Sequence, residues 1–319
     1  MAGARRGAWL GDAWLDDAWL NDGWPDGGWL DGGWPDGAAP LAAGGWRESM
    51  DAVPHVSFLT DYGLADGFVA ACHGVLLRRG VRALDISHLI DPGDVRRGAA
   101  VLAQTVRYLP VPVHLAVVDP GVGTSRRGIV LVTPGGMLVG PDNGLLAPAA
   151  AVLGGVRAAV ALVARPGVPA TFHGRDVFAP AAAELATGTA PEALGARVDP
   201  AGLVQLPPVL ARVRAAEDPA AELEAEVVLV DRFGNVQLAA TGDLLADVGL
   251  VPGRRAEVQT STAGAPLRMP VGVTFGSVGP GELVLYVDSA GMAAFAVRDG
   301  AAASRLGLAP GDVVTLRAS

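Results

Sequence analysis

From Val56 onward the apolar positions fall into short blocks whose period keeps switching. A continuous apolar run predicts a buried strand over 56–60, and apolar residues at helical spacing then predict an amphipathic helix over 66–79. A second strand over 83–87, a second helix over 95–108 and a third strand over 114–118 repeat the pattern. Two runs over 128–132 and 137–139, separated by Pro134-Gly135-Gly136, read as a hairpin, and 177–186 reads as a helix. Strands and helices in alternation, with β-rich apolar runs, imply a sheet covered on both faces. The first domain, over 51–208, is therefore expected to be α/β.

Near Leu206-Pro207-Pro208 the pattern breaks into a Pro- and Ala-rich linker. Beyond Glu226 it becomes short apolar runs separated by glycine turns, among them Phe233-Gly234-Asn235, Asp288-Ser289-Ala290-Gly291 and Pro310-Gly311-Asp312. That texture predicts an all-β C-terminal domain over 209–319, a small barrel or sandwich. The first fifty residues follow neither pattern. Trp9, Trp14, Trp19, Trp24, Trp29 and Trp34 recur every five residues, a period that lines one face of neither a helix nor a strand. With its density of Gly, Pro and Asp, segment 1–50 is expected to be a disordered extension, or upstream sequence translated ahead of an initiator at Met50. An acidic, aromatic interaction arm is the alternative.

Composition narrows the function by exclusion. The formal charge is −9, without a basic cluster, so a phosphate backbone is repelled and nucleic acid is not an expected partner. All basic side chains are arginine; without lysine, neither a Walker-type phosphate loop nor a Schiff base can form. Cys72 is the single cysteine, which removes disulfide frameworks and thiolate zinc clusters. No apolar run reaches the roughly 18 residues of a membrane span. Arg5-Arg6 is not followed by an apolar stretch of the kind an export signal needs, so the expected location is the cytoplasm.

The candidate chemistry lies in two runs beside glycines at the ends of apolar segments: Asp119-Pro120-Gly121-Val122-Gly123-Thr124-Ser125-Arg126 and Thr171-Phe172-His173-Gly174-Arg175-Asp176. They supply a carboxylate, a guanidinium and an imidazole where strands can deliver polar side chains into a cleft. Singly, Asp119 could be a turn former, Arg126 a solvated charge and His173 a satisfied half-buried ring. His55, His73, His88 and His114 show no metal-ligand spacing along the chain and are read as structural.

These runs do not occur alone. Leu59-Thr60-Asp61-Tyr62-Gly63, His88 with Asp94-Val95-Arg96-Arg97-Gly98-Ala99, Pro141-Asp142-Asn143-Gly144-Leu145-Leu146 and Asp231-Arg232-Phe233-Gly234-Asn235 accompany them in order. As a set they resemble the S-adenosylmethionine (SAM) hydroxide adenosyltransferases, relatives of the bacterial fluorinase and chlorinase, from about Pro54 to the C-terminus. The resemblance implies attack of water or hydroxide on the ribose C5′ of SAM, giving adenosine and methionine. It puts the family's catalytic set on Asp119, Arg126 and His173, with a tyrosine at the first position in the halogenating relatives. It carries Asp61 to the ribose hydroxyls, Asp231 and Ser289 to the methionine end, Asn235 and Phe275 to the adenine, and Phe172 to the substrate pocket. After Ser289, Ala290 stands where the halogenases have an arginine that holds the substrate carboxylate.

The chemistry fits without a metal or other cofactor, since a sulfonium departs as a neutral thioether and only an oriented water is required. His173 can accept or position the water proton, Arg126 can stabilise negative charge on oxygen, and Asp119 can orient Arg126. Two other readings remain: a halogenase, disfavoured because an aspartate repels a desolvated halide, and a non-catalytic SAM or adenosine sensor. The resemblance further implies a homotrimer with active sites at subunit interfaces.

Overall fold

A computed structural model of the chain describes residues 53–164, 167–214, 221–260 and 265–319; the tryptophan repeat and Met50 lie outside the described residues. Two compact units divide between Gln205 and Leu206.

In the first unit β1 (His55–Thr60), α1 (Phe68–Leu77), β2 (Arg82–Ser87), α2 (Val95–Thr105) and β3 (Val113–Val117) follow in turn. Then come β4 (Gly128–Thr133), β5 (Gly136–Pro141), α3 (Ala147–Val152), β6 (Ala158–Leu162), α4 (Ala179–Ala186) and β7 (Gly195–Val198). The seven strands form one sheet in the order β2-β1-β3-β5-β4-β6-β7. The run from β2 through β1 and β3 to β5 is parallel, whereas β4, β6 and β7 join antiparallel. The expected hairpin is β4–β5, closed at Thr133 opposite Gly136, where the Thr133 hydroxyl donates to the Gly136 carbonyl. Val56, Phe58, Leu115, Val117, Val130 and Val139 lie in one core with Leu76, Phe178 and Ala182. Burial of these side chains, at roughly 1.5–3 kcal/mol for each large aliphatic or aromatic one, fixes the helices to the sheet.

The parallel register matters for function. Thr60 of β1 lies opposite Val117 of β3, so the chain leaves both strands at the same sheet edge, with Asp61 just past one end and Asp119 just past the other. Adjacent parallel strands of an open sheet deliver ligand-binding side chains at their carboxyl ends.

The second unit is all-β. Strands β8 (Ala211–Arg214), β9 (Glu222–Val230), β10 (Val236–Thr241), β11 (Arg255–Thr260), β12 (Leu267–Pro270), β13 (Leu283–Val287), β14 (Met292–Val297) and β15 (Val313–Ala318) pair antiparallel, with short helices α5 (Gly242–Asp247) and α6 (Ala302–Leu306) between them. The order is β12-β11-β15-β9-β10-β14-β13, with β8 on β9. A bridge between Val271 and Leu285 brings the two outer strands together, making a near-barrel. Strict alternation along β9 puts Leu223, Ala225, Val227 and Leu229 inside. The sequence therefore anticipates both architectures, α/β followed by all-β.

Candidate active site

Val118 follows β3 and is fully buried, and its carbonyl accepts the Asn143 side-chain amide at 2.8 Å. Asn143 also accepts the Leu145 amide at 3.2 Å, so this side chain braces the strand end that presents Asp119. The next turn must double back within a few residues. Gly123 does so at φ +79°, where a Cβ would lie 3.1 Å from the Ala170 carbonyl, a site that only glycine fits without strain.

That turn sets Arg126 against Asp119. Arg126 Nε donates to Asp119 Oδ1 at 3.0 Å and Nη2 donates to Oδ2, a two-pronged contact in which the side chains are only 10% and 5% exposed. Arg127, its neighbour, does something else. It donates to Asp142 at 2.9 Å and to the Gly202 carbonyl at 2.8 Å, and Asp142 accepts the Val204 amide at 2.9 Å, so this second pair fastens the chain after β7 to the sheet.

His173 enters from the other run. Gly174–Phe178 forms one π-helical turn ahead of α4, with the Asp176 amide donating to the Phe172 carbonyl. Such turns bulge a helix and are frequent at functional sites. The bulge sets His173 Nδ1 3.2 Å from Arg126 Nη2, over the Phe178 ring that also underlies the guanidinium at 5.2 Å. Guanidinium has no acceptor, so Nδ1 must accept, and the ring proton sits on Nε2. Burial, and then the positive Arg126, hold the His173 pKa below the ordinary histidine range. Asp119, Arg126 and His173 thus form one contiguous set.

Asp61 accepts the Gly93 amide at 2.8 Å; burial pushes its carboxyl upward, against the lowering effect of that bond, and the nearby Asp119 adds to the rise. Phe172 packs edge-on to Tyr62 and Phe68, with ring centroids 5.7 and 5.3 Å away, and the Arg175 guanidinium lies 4.7 Å above it. Sequence reasoning includes Tyr62 only as a member of the Asp61 motif, without a role of its own, and does not single out Phe68. Gly174 makes this packing possible, since a Cβ there would lie 2.0 Å from the Tyr62 hydroxyl.

In the second unit, Asp231 and Asn235 meet in the β9–β10 turn. Asp231 accepts the Phe233 and Asn235 amides at 2.8 and 2.9 Å, and the Asn235 side chain donates to it at 2.8 Å. Phe275 is 53% exposed and packs edge-on to Tyr286 at 5.9 Å, leaving ring surface available. Burial and the negative Asp288 and Asp231 push the Tyr286 hydroxyl up to about 12. Ser289 is exposed in the β13–β14 turn, which Asp288 organises by accepting the Ala290 and Met292 amides. Tyr286 is the residue that sequence reading misses here; Asp288 is read only as part of the glycine turn that it organises.

Of the other histidines, His114 is buried against Ser57 at 2.8 Å and depressed by burial to about 4, a packed interior residue. His73 and His88 instead converge on Asp85.

A family model described as the SAM hydroxide adenosyltransferase N-terminal domain matches residues 56–195, and its C-terminal counterpart matches residues 225–315. This chain belongs to the SAM hydroxide adenosyltransferase family. It is 56% identical over 269 residues to a Salinispora tropica protein named (R)-S-adenosyl-L-methionine hydrolase, covering 82% of this chain and 97% of that one. A Thermus thermophilus protein of the same name is 44% identical, covering 82% of this chain and 98% of its own. A fluorinase from Actinopolyspora mzabensis is more distant, at 26% identity over 75% of this chain and 88% of its own. Among solved structures, a conserved Thermotoga maritima protein superposes with a TM-score of 0.74 at 32% identity, covering 82% of this chain and 99% of that one.

Proposed function

We infer that this chain hydrolyses SAM to adenosine and methionine by attack of water on the ribose C5′. The observation that carries the reading is the contiguous Asp119–Arg126–His173 set, in a chain 44–56% identical to proteins named (R)-S-adenosyl-L-methionine hydrolase. The water oxygen forms a bond to C5′ while the C5′–S bond breaks, its electron pair leaving on sulfur as a neutral thioether. No acid is needed at the leaving group, and the water must shed one proton.

The hydrogen bonds favour a positioning role for His173 over proton removal. With Nδ1 occupied by Arg126, the neutral ring offers only Nε2–H, a donor that can hold the water oxygen with a lone pair directed at C5′. Arg126 Nη1 makes no hydrogen bond among the described residues and can stabilise charge growing on the same oxygen. Each Asp119 oxygen keeps a second lone pair, so this carboxylate can take the water proton and pass it to solvent. Asp61 is assigned to the ribose hydroxyls and Phe172 to the pocket wall. Phe275 and Asn235 are assigned to the adenine, and Asp231 and Ser289 to the methionine end. Because Asp231 already holds its own turn, its part there is as much scaffold as contact. No metal or other cofactor enters these steps, and a cytoplasmic setting accords with a single, buried thiol.

Protonation of His173 would break its bond from Arg126, so kcat/KM should fall as pH drops through the His173 pKa. Because burial and Arg126 depress that pKa, the acid limb should lie below about pH 6.5, with a plateau above it. A pH–rate profile with its acid limb at about pH 7 or higher would contradict this assignment.

We also assign the active form to a homotrimer whose sites combine the α/β unit of one subunit with the β unit of the next, on the strength of the family resemblance. Ring symmetry lets such head-to-tail contacts close. Co-expression of inactive His173→Ala with inactive Asn235→Ala/Phe275→Ala should restore about a quarter of the sites in equal mixtures. Mixed oligomers that recover no activity would rule the shared site out.

A further inference from the structure

His73 lies on α1, Asp85 on the edge strand β2, and His88 just after β2, so no linear motif connects them. The fold brings all three to one point. His73 Nε2 is 2.9 Å from Asp85 Oδ1, His88 Nε2 is 3.2 Å from the same oxygen, and the three ligand atoms lie within 4.8 Å of one another. Tetrahedral coordination with bonds of 2.0–2.2 Å needs ligand atoms about 3.4 Å apart, and the two contacts to Asp85, 2.9 and 3.2 Å, would have to open by about 0.5 Å or less.

A second, independent observation concerns His88. Its ring is 4% exposed, and Nε2, although 3.2 Å from Asp85 Oδ1, makes no hydrogen bond among the described residues that meets distance and angle together. A buried polar atom without a partner is disfavoured, and folds normally satisfy it. Its other nitrogen is held: Nδ1 is 2.9 Å from the buried Thr60 hydroxyl. When Nδ1–H donates to Thr60, Nε2 presents a bare lone pair, the arrangement by which a second partner fixes the tautomer of a metal-binding histidine. Phe58 packs against both rings, at 4.8 Å from His88 and 5.8 Å from His73, and limits how far either can turn away.

We propose that His73, Asp85 and His88 form a binding site for a first-row divalent cation of the zinc type, with solvent completing the coordination. Two imidazoles and one carboxylate are ligands that zinc accepts and that magnesium or calcium, which prefer oxygen, do not favour. The site shares no residue with the Asp119–Arg126–His173 set, and its role is structural. His88 is bonded to the end of β1 through Nδ1 to Thr60, and to the loop that follows through its carbonyl, which accepts the Gly63 amide at 2.7 Å. Asp61 and Tyr62 lie between those anchors, so a cation would tie α1 and β2 to the loop that carries Asp61.

The test uses the full-length chain without a histidine tag, stripped with EDTA, desalted and titrated with Zn²⁺ against a chromophoric chelator. One Zn²⁺ per chain should bind with micromolar or tighter affinity, Mg²⁺ should not compete, and the amides of Asp61 to Gly63 should exchange more slowly when it is bound. His73→Gln and Asp85→Asn, both at partly exposed positions, should each weaken binding by about 100-fold while the circular dichroism spectrum stays unchanged. Absence of saturable binding by about 100 µM Zn²⁺, or affinity unchanged in both folded variants, would overturn the proposal.

Discussion

Arg126→Ala is expected to lower kcat by at least about 10²-fold with KM changed only a few-fold, because the guanidinium is assigned to the attacking water and not to the substrate. The substitution does more than delete one charge. It leaves Asp119 without its two-pronged partner and His173 Nδ1 without its donor, so the other two members of the set lose their orientation together. His173→Ala should produce a loss of similar size, and the double variant should be little worse than either single one, as expected for residues acting as a unit. Asp61→Ala should differ in kind, raising KM. Steady-state kinetics on folded variants read all four. An Arg126→Ala enzyme with turnover within a few-fold of the parent would remove Arg126 from the chemistry.

Gly174→Ala should be nearly as damaging without removing any functional group. The added methyl would sit 2.0 Å from the Tyr62 hydroxyl and 3.0 Å from Cζ, so the ring must leave its place against Phe172 and Phe68. Overpacking of this kind costs about 1–3 kcal/mol of stability. Because Gly174 follows His173 and opens the π-helical turn, displacement here also misplaces the imidazole, and kcat/KM is expected to fall by about 10²-fold. A Gly174→Ala/Tyr62→Phe double variant removes the atom met first and should recover part of the loss. Melting temperature and kcat/KM both close to the parent's in Gly174→Ala would show that the site tolerates the ring elsewhere.

The sequence made the alternation of strands and helices visible where apolar runs were β-branched or clearly periodic, as in β1, α2 and β3. It concealed β6, whose Ala-Ala-Val-Ala-Leu is as compatible with a helix as with a strand, and α3, an alanine run bounded by glycines. Only pairing with β4 on one side and β7 on the other makes β6 a strand. The apolar spacing predicts a second helix running to 108, but it ends at Thr105 and tightens into a 3₁₀ turn over Val106–Tyr108 ahead of Pro110.

Legibility of the candidate site divides in the same way. Asp119 follows β3 as its glycine-flanked polar run suggests, but the run holding His173 opens the π-helical turn ahead of α4 and not a strand end. It is the resemblance to the family that singles out Asp119, Arg126 and His173 as a set; the parallel β1–β3 register then explains why Asp61 and Asp119 share one edge. Asn143 under Val118, Tyr62 and Phe68 beside Phe172, and Tyr286 beneath Phe275 depend on contacts between distant segments, which a linear pattern does not record. The same is true of His73, Asp85 and His88. Spacing along the chain offered no metal motif, because a helix, an edge strand and a loop each contribute one ligand atom.

The most direct measurement of the central claim is the identity of the nucleoside formed from SAM in water enriched in oxygen-18, with and without chloride. Attack of water at C5′ predicts adenosine carrying one solvent oxygen in its 5′-hydroxyl, with methionine in equal amount and no dependence on halide. A 5′-halogenated nucleoside as the main product, adenosine without label, or binding of SAM with no turnover would contradict it.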